Sequence, residues 1–100
     1  MPKATWTSAR RCLRVLKALK GHSVHGLSNA QLAEGLGETP TNICRALSVL
    51  EEEGLVTRLE TGRWAHSVVM LQIAQAHAVA MSTASDRLME INRRVAVGAM

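Results

Sequence analysis

Residues Gly26 to Trp64, GLSNAQLAEGLGETPTNICRALSVLEEEGLVTRLETGRW, decide the fold. Ser28, followed three residues later by Gln31, is a capping-box pattern, so a helix is expected to begin there. Leu32, Ala33 and Leu36 give that helix an apolar stripe, and Gly35 and Gly37 end it quickly. A short Gly37-Glu38 turn leads to Thr39-Pro40. Threonine there is an N-cap, and proline suits the first helical position, where its missing N–H has no partner in the helix anyway. This next helix is predicted from Pro40 to about Glu53, with Gly54 as its left-handed stop. Leu55–Leu59 then alternates as a short strand does, Glu60-Thr61-Gly62 reads as a hairpin tip, and Arg63–His66 as the return strand. Helix, tight turn, helix and hairpin in that order predict a winged helix-turn-helix, mainly α with a small β-hairpin.

The helix at 40–53 has two unlike faces. With Ile43 set at zero and about 100° per residue, Ala46, Leu47 and Leu50 fall within about 60° of it. Thr41, Arg45, Ser48 and Glu52 point the opposite way, with Asn42, Cys44 and Val49 on the flanks. The outward N-terminal half is small, polar and basic, while Glu51, Glu52 and Glu53 gather at the far end. A helix entering the major groove leads with its N-terminal residues, where carboxylates are repelled by phosphate.

Upstream, Thr7 or Ser8 is expected to cap a first helix running to Leu19 or Lys20. Leu13, Val15, Leu16 and Leu19 are its apolar positions, and Gly21 is its stop. GHSVHG (21–26) reads as a loop. Downstream of Ser67 the pattern is helical again, as C-terminal helices. Val68, Leu71, Ile73 and Ala74 are placed to pack back on the domain in a segment reaching Met81. Ser82-Thr83-Ala84-Ser85 is then a weak break, and Ser85 or Asp86 begins a last helix through Val97. Leu88, Met89, Ile91, Val95 and Val97 give this last helix an apolar side that suits either a dimer surface or its own domain. The division expected is a DNA-binding domain over 1–66 and a helical extension over 67–100.

One hundred residues make one small domain with an extension, for which an oligomer is a natural support. The formal net charge is +4. Lys3, Arg10, Arg11, Arg14, Lys17 and Lys20 all fall in the first twenty residues with no acid among them, the footprint of a phosphate-binding surface or of a solvated helix face. Trp6 and Trp64 are the sole aromatics, which argues against single-strand binding by base stacking. Cys12 and Cys44 have no CxxC spacing, so reduced, inert thiols are expected. MPKATWTSARR carries no apolar leader, and Val68–Met81 is too short and too interrupted by Gln72, Gln75 and His77 to span a bilayer. A soluble, cytoplasmic protein with no membrane partner is the expectation.

ARRCLRVLKAL (9–19), GLSNAQLAEGLG (26–37) and TPTNICRALSVLEEEGLV (39–56) resemble the DNA-binding domain of the IclR family of bacterial transcriptional regulators. TGRW (61–64) stands where that family carries its wing, and VVMLQIAQA (68–76) resembles the helix after it. The resemblance covers Thr7 to about Ala74. It implies that Thr41, Asn42 and Arg45 occupy recognition-helix positions that meet DNA, Arg45 matching the family's arginine most clearly. Thr39-Pro40 shifts the proline by one position from the usual turn. Members of the family carry a large effector-binding domain after this module, whereas this sequence ends at Met100, so a small regulator of phage or mobile-element type is the expectation by analogy.

The function expected is therefore sequence-specific binding of double-stranded DNA by a homodimer joined through its C-terminal helices. Thr41, Asn42, Arg45 and Ser48 are the candidates for base edges, with Arg45 suited to a bidentate guanine contact. Ser28, Asn29, Arg58, Arg63 and the basic first helix are the candidates for phosphates, Arg58 and Arg63 flanking the wing tip, and Thr39 is a further DNA-binding candidate. The alternative is a winged-helix module that binds a protein partner, suggested by Glu51–Glu53 and the apolar last helix. Catalysis, a metal and a cofactor are not expected: His22, His25, His66 and His77 show no ligand spacing, and Asp86 and Glu90 read as a solvated face beside Arg87 and Arg94. Cys44 reads as packed rather than redox-active, and Trp64 as a pin holding the wing to the core.

Overall fold

The computed structural model describes residues 7–98. The elements are α1 (Thr7–Ala18), α2 (Asn29–Leu36), α3 (Pro40–Glu52), β1 (Val56–Arg58), β2 (Trp64–His66) and α4 (Val68–Gly98). This is the winged helix-turn-helix that the sequence predicts. Lys3 and Trp6 lie outside the described residues.

The core is the convergence of the three predicted apolar stripes. Val15 and Leu19 from α1 and its exit, Leu32 and Ala33 from α2, and Ile43, Ala46, Leu47 and Leu50 from α3 are all buried, with Val56 of β1 beneath them. Cys12, Leu16, Leu36 and Trp64 close its rim, half-buried. Leu13, by contrast, faces solvent at 59% exposure.

The helix ends follow the local chemistry. The Gln31 N–H donates to Ser28 Oγ at 3.1 Å, and the Ser28 N–H donates to Gln31 Oε1 at 2.9 Å, completing the capping box. Gly37 closes α2 at φ 65°, in the left-handed region, and the Glu38 N–H then donates back to the Ala33 carbonyl at 2.9 Å. Thr39 caps α3 by accepting the Asn42 N–H at 3.1 Å. Gly54 follows the last turn of α3 at φ 75°.

The hairpin pairs antiparallel in the register Val56↔His66, Thr57↔Ala65 and Arg58↔Trp64, with shorter strands than the predicted 55–59 and 63–66. Its tip turns at Leu59–Gly62, where the Gly62 N–H donates to the Leu59 carbonyl. Among the described residues, a single further bridge joins it from Leu27, just past the predicted 21–26 loop. Leu27 bridges Trp64 through two backbone hydrogen bonds of 2.9 and 2.8 Å. The preceding residue has to be glycine: Gly26 sits at φ 69°, and a Cβ there would lie 2.5 Å from the Trp64 carbonyl oxygen. Two further ties hold the wing to the helices. His66 Nε2 donates to the Leu16 carbonyl at 2.7 Å, which sets its tautomer, and the Ser67 hydroxyl donates to the Gly54 carbonyl while accepting the Met70 N–H to cap α4.

After Met70 the chain divides into a second compact unit. The predicted break at Ser82–Ser85 is absent, and α4 runs unbroken over 31 residues. Serine and threonine in a helix interior cost only a few tenths of a kcal/mol each. Without glycine or proline, three such residues do not interrupt a run otherwise rich in Ala, Val and Met. No residue of α4 is buried. Val68, Leu71 and Ile73, expected to pack back on the domain, are 69%, 41% and 57% exposed and do not belong to the core.

Candidate nucleic-acid interface

The turn between α2 and α3 is braced from three sides. Glu38 Oε2 lies 3.0 Å from Arg11 Nε as an ion pair, off the line of a well-aligned hydrogen bond, and accepts Asn42 Nδ2–H at 3.4 Å. Arg11 thereby leaves the basic stripe and offsets the one carboxylate next to the start of α3. Asn29 Nδ2 donates to the Pro40 carbonyl at 3.3 Å, joining the first turns of α2 and α3. These contacts hold the two helix starts in one orientation, which a reading helix requires.

The outward face of α3 then holds Thr41, Cys44, Arg45 and Ser48, all exposed. Among the described residues, no carboxylate pairs with Arg45, Arg58 or Arg63. Arg45 is thus a long, uncommitted cation beside an open recess lined by Asn29, Pro40, Thr41 and Cys44. Asn42 differs: it is half-buried, and its amide is engaged by Glu38. Ser28 and Thr39 spend a lone pair on capping, which leaves each hydroxyl proton free to donate outward. Glu51, Glu52 and Glu53 are exposed at the far end of α3, about 15 Å along the axis from Thr41.

On the wing, Arg58 stands beside its cross-strand partner, with its guanidinium carbon 5.8 Å from the centre of the Trp64 ring. The indole, which also packs against the core, offers this arginine a cation–π contact. Arg63 flanks the same tip, its N–H donating to Thr61 Oγ1 at 3.4 Å.

The basic face of α1 lies elsewhere. Arg10, Arg14 and Lys17 share a shallow hollow with Leu13 and sit roughly opposite, around the helix, from Cys12, Val15, Leu16 and Leu19. Those four residues face the core, to which α3 also turns its apolar side, while Ser8, Arg11 and Cys12 share a hollow with Arg45, Ala46 and Val49. Among the described residues, no group of three or more histidine, cysteine or acidic side chains is arranged so that it could hold a metal ion. Cys12 and Cys44 are both free thiols: Cys12 is half-buried and directed at the Ala46 carbonyl, whereas Cys44 is exposed, against the expectation of a packed thiol.

A braced turn, a capped helix with an uncommitted arginine on its outer face and a cationic hairpin beside it define a winged helix-turn-helix of the DNA-binding class. The profile of the IclR helix-turn-helix domain matches residues 8–60, and the chain belongs to that family, a DNA-binding rather than a catalytic one. Among solved structures, a cysteine-to-serine variant of Lactococcus lactis ZitR superposes with a TM-score of 0.52 at 20% identity, covering 94% of this chain and 66% of that one. A glutamate-to-alanine variant of ZitR superposes at 0.46 with 16% identity over the same shares. At such identity the likeness concerns the fold, and this chain spans about two thirds of the ZitR length. No curated relative matches the sequence. No helix among the described residues is long and apolar enough to cross a membrane.

Proposed function

We propose that this protein is a sequence-specific transcription regulator that binds double-stranded DNA as a dimer on a two-fold-related site. Residues 1–66 carry the DNA contacts and residues 67–100 the dimer contacts. The N-terminal half of α3 enters the major groove, where Thr41, Arg45 and Ser48 meet base edges and Arg45 takes a guanine through its two-pronged guanidinium. Asn42 contributes by fixing the helix start, with one amide N–H on Glu38 and its second N–H and carbonyl oxygen left for a base. Ser28, Asn29 and Thr39 bring the starts of α2 and α3 to phosphates, and Arg58 and Arg63 carry the wing onto the backbone or minor groove. The observation that carries this reading is Arg45: exposed, unpaired and held on a helix whose start is capped and braced.

The test is affinity for a duplex selected from genomic fragments, compared with random duplex across a salt series. Arg45→Ala should cost about 1–3 kcal/mol on the selected duplex and relax specificity, whereas Arg63→Ala should weaken both duplexes alike and flatten the salt dependence. Equal losses on both duplexes for both variants would overturn the division of roles. A chain that binds neither duplex but retains a protein partner after Arg45→Ala would overturn DNA recognition itself.

A further inference from the structure

The surface of α4 carries a pattern that the DNA interface does not use. Met70, Ala74, His77, Met81, Ala84, Leu88, Ile91 and Val95 follow one another at alternating spacings of four and three, the seam of a coiled coil. Seven of the eight are apolar, and the five charged side chains of α4, Asp86, Arg87, Glu90, Arg93 and Arg94, all fall off the seam. Glu90 pairs with Arg93 and Arg94 on the outer side. Met81, Leu88, Ile91 and Val95 are 50–66% exposed, so the seam is uncovered.

Seam chemistry selects both the occupant and its direction. Ala74, Met81, Leu88 and Val95 are the a positions, and Met70, His77, Ala84 and Ile91 the d positions. A parallel pair would set each residue against its own copy, with empty layers at Ala74 and Ala84 and histidine facing histidine. Leucine at a with isoleucine at d also disfavours a parallel dimer. Reversing the second helix in the register that keeps all eight positions paired gives different layers: Met81 with Ala84, Leu88 with His77, Ile91 with Ala74, and Val95 with Met70. Most layers then join a large side chain to a small one or to histidine, as dense packing requires. On the flanks, Arg87 meets Ala80 and Arg94 meets Ile73, with no like charges apposed.

We infer that α4 pairs antiparallel with α4 of a second copy of this chain, centred between Ser82 and Thr83. This deepens the dimer in the proposed function and rests on it. The two Val68 residues then stand about 43 Å apart, at opposite ends of one coil.

Paired spin labels on the full chain test this, at Ser82→Cys or at Ala96→Cys, with Cys12 and Cys44 replaced by serine and sedimentation giving the mass. The antiparallel pair predicts a dimer with a distance of about 20 Å between the labels at 82 and about 40 Å between those at 96. Leu88→Glu should convert that dimer to a monomer while leaving the helical circular dichroism of the winged unit in place. Short distances at both sites mean a parallel pair and overturn the inference, while a dimeric regulator stands. A trimer or tetramer also overturns it, and a monomer at DNA-binding concentrations overturns the dimer as well.

Discussion

The winged unit and α4 draw on the same Leu, Ile, Val, Ala and Met, yet they finish them differently. In the first, apolar positions on three helices and a strand converge, and Val15, Leu19, Ile43 and Leu47 are at most 1% exposed. In α4 a helix of 31 residues buries none. Apolar residues at helical spacing thus specify a face, and what covers that face is decided by whether other elements converge on it. For α1, α2 and α3 the partners lie within the same chain segment. For α4 no such partner buries a residue, and the proposed second copy is what would cover its face.

The largest effect expected from this contrast is in the core. Leu47→Ala should cost about 2–5 kcal/mol in urea unfolding, since a buried leucine leaves a cavity. Val79→Ala, at a position 55% exposed and off the seam, should change stability by no more than about 0.5 kcal/mol. Similar losses for both would erase the distinction between the two regions.

Gly26→Ala comes next. A side chain at φ 69° aimed at the Trp64 carbonyl should cost about 1–3 kcal/mol and loosen the Leu27 bridge, lowering the thermal midpoint. A midpoint unchanged from wild type would show that the Leu27 bridge contributes nothing to the wing. Thr39→Ala should remove about 0.5–2 kcal/mol with the α3 cap, and Thr39→Ser should restore it. No recovery with serine would assign the loss to the methyl group instead.

Arg14→Ala is the smallest. Because Arg14 lies in a hollow with Arg10, Leu13 and Lys17, apart from the proposed contacts of α3, this change should leave specific DNA affinity within about 0.5 kcal/mol of wild type, the usual range for exposed substitutions. A loss as large as that of Arg45→Ala would place α1 in the interface.

Much of this was legible in the chain because local chemistry dictates it. Ser28 with Gln31, Thr39 with Pro40, and Gly37 and Gly54 mark helix ends through contacts within four residues, and the ends lie within two residues of where they were expected. The apolar side of α3, Ile43, Ala46, Leu47 and Leu50, follows from helical period alone. What escaped the sequence is non-local. Leu27 pairs with Trp64 across 37 positions, and only Gly26 hinted that a backbone passes close by. Glu38 looked like a turn residue until Arg11 and Asn42 converged on it, engaging one cation of the basic stripe and one N–H of the Asn42 amide. The supposed break in α4 failed for the opposite reason: hydroxyl residues signal a boundary only when a cap or a glycine accompanies them.

The most direct test of the account is a map of backbone amide shifts in the full chain as a selected duplex is added. The account predicts perturbations concentrated at Ser28–Asn29, Thr39–Ser48 and Arg58–Arg63, with Arg10–Lys17 and Glu51–Glu53 little changed. Perturbations centred on α1 or on the Glu51–Glu53 end of α3 would contradict it.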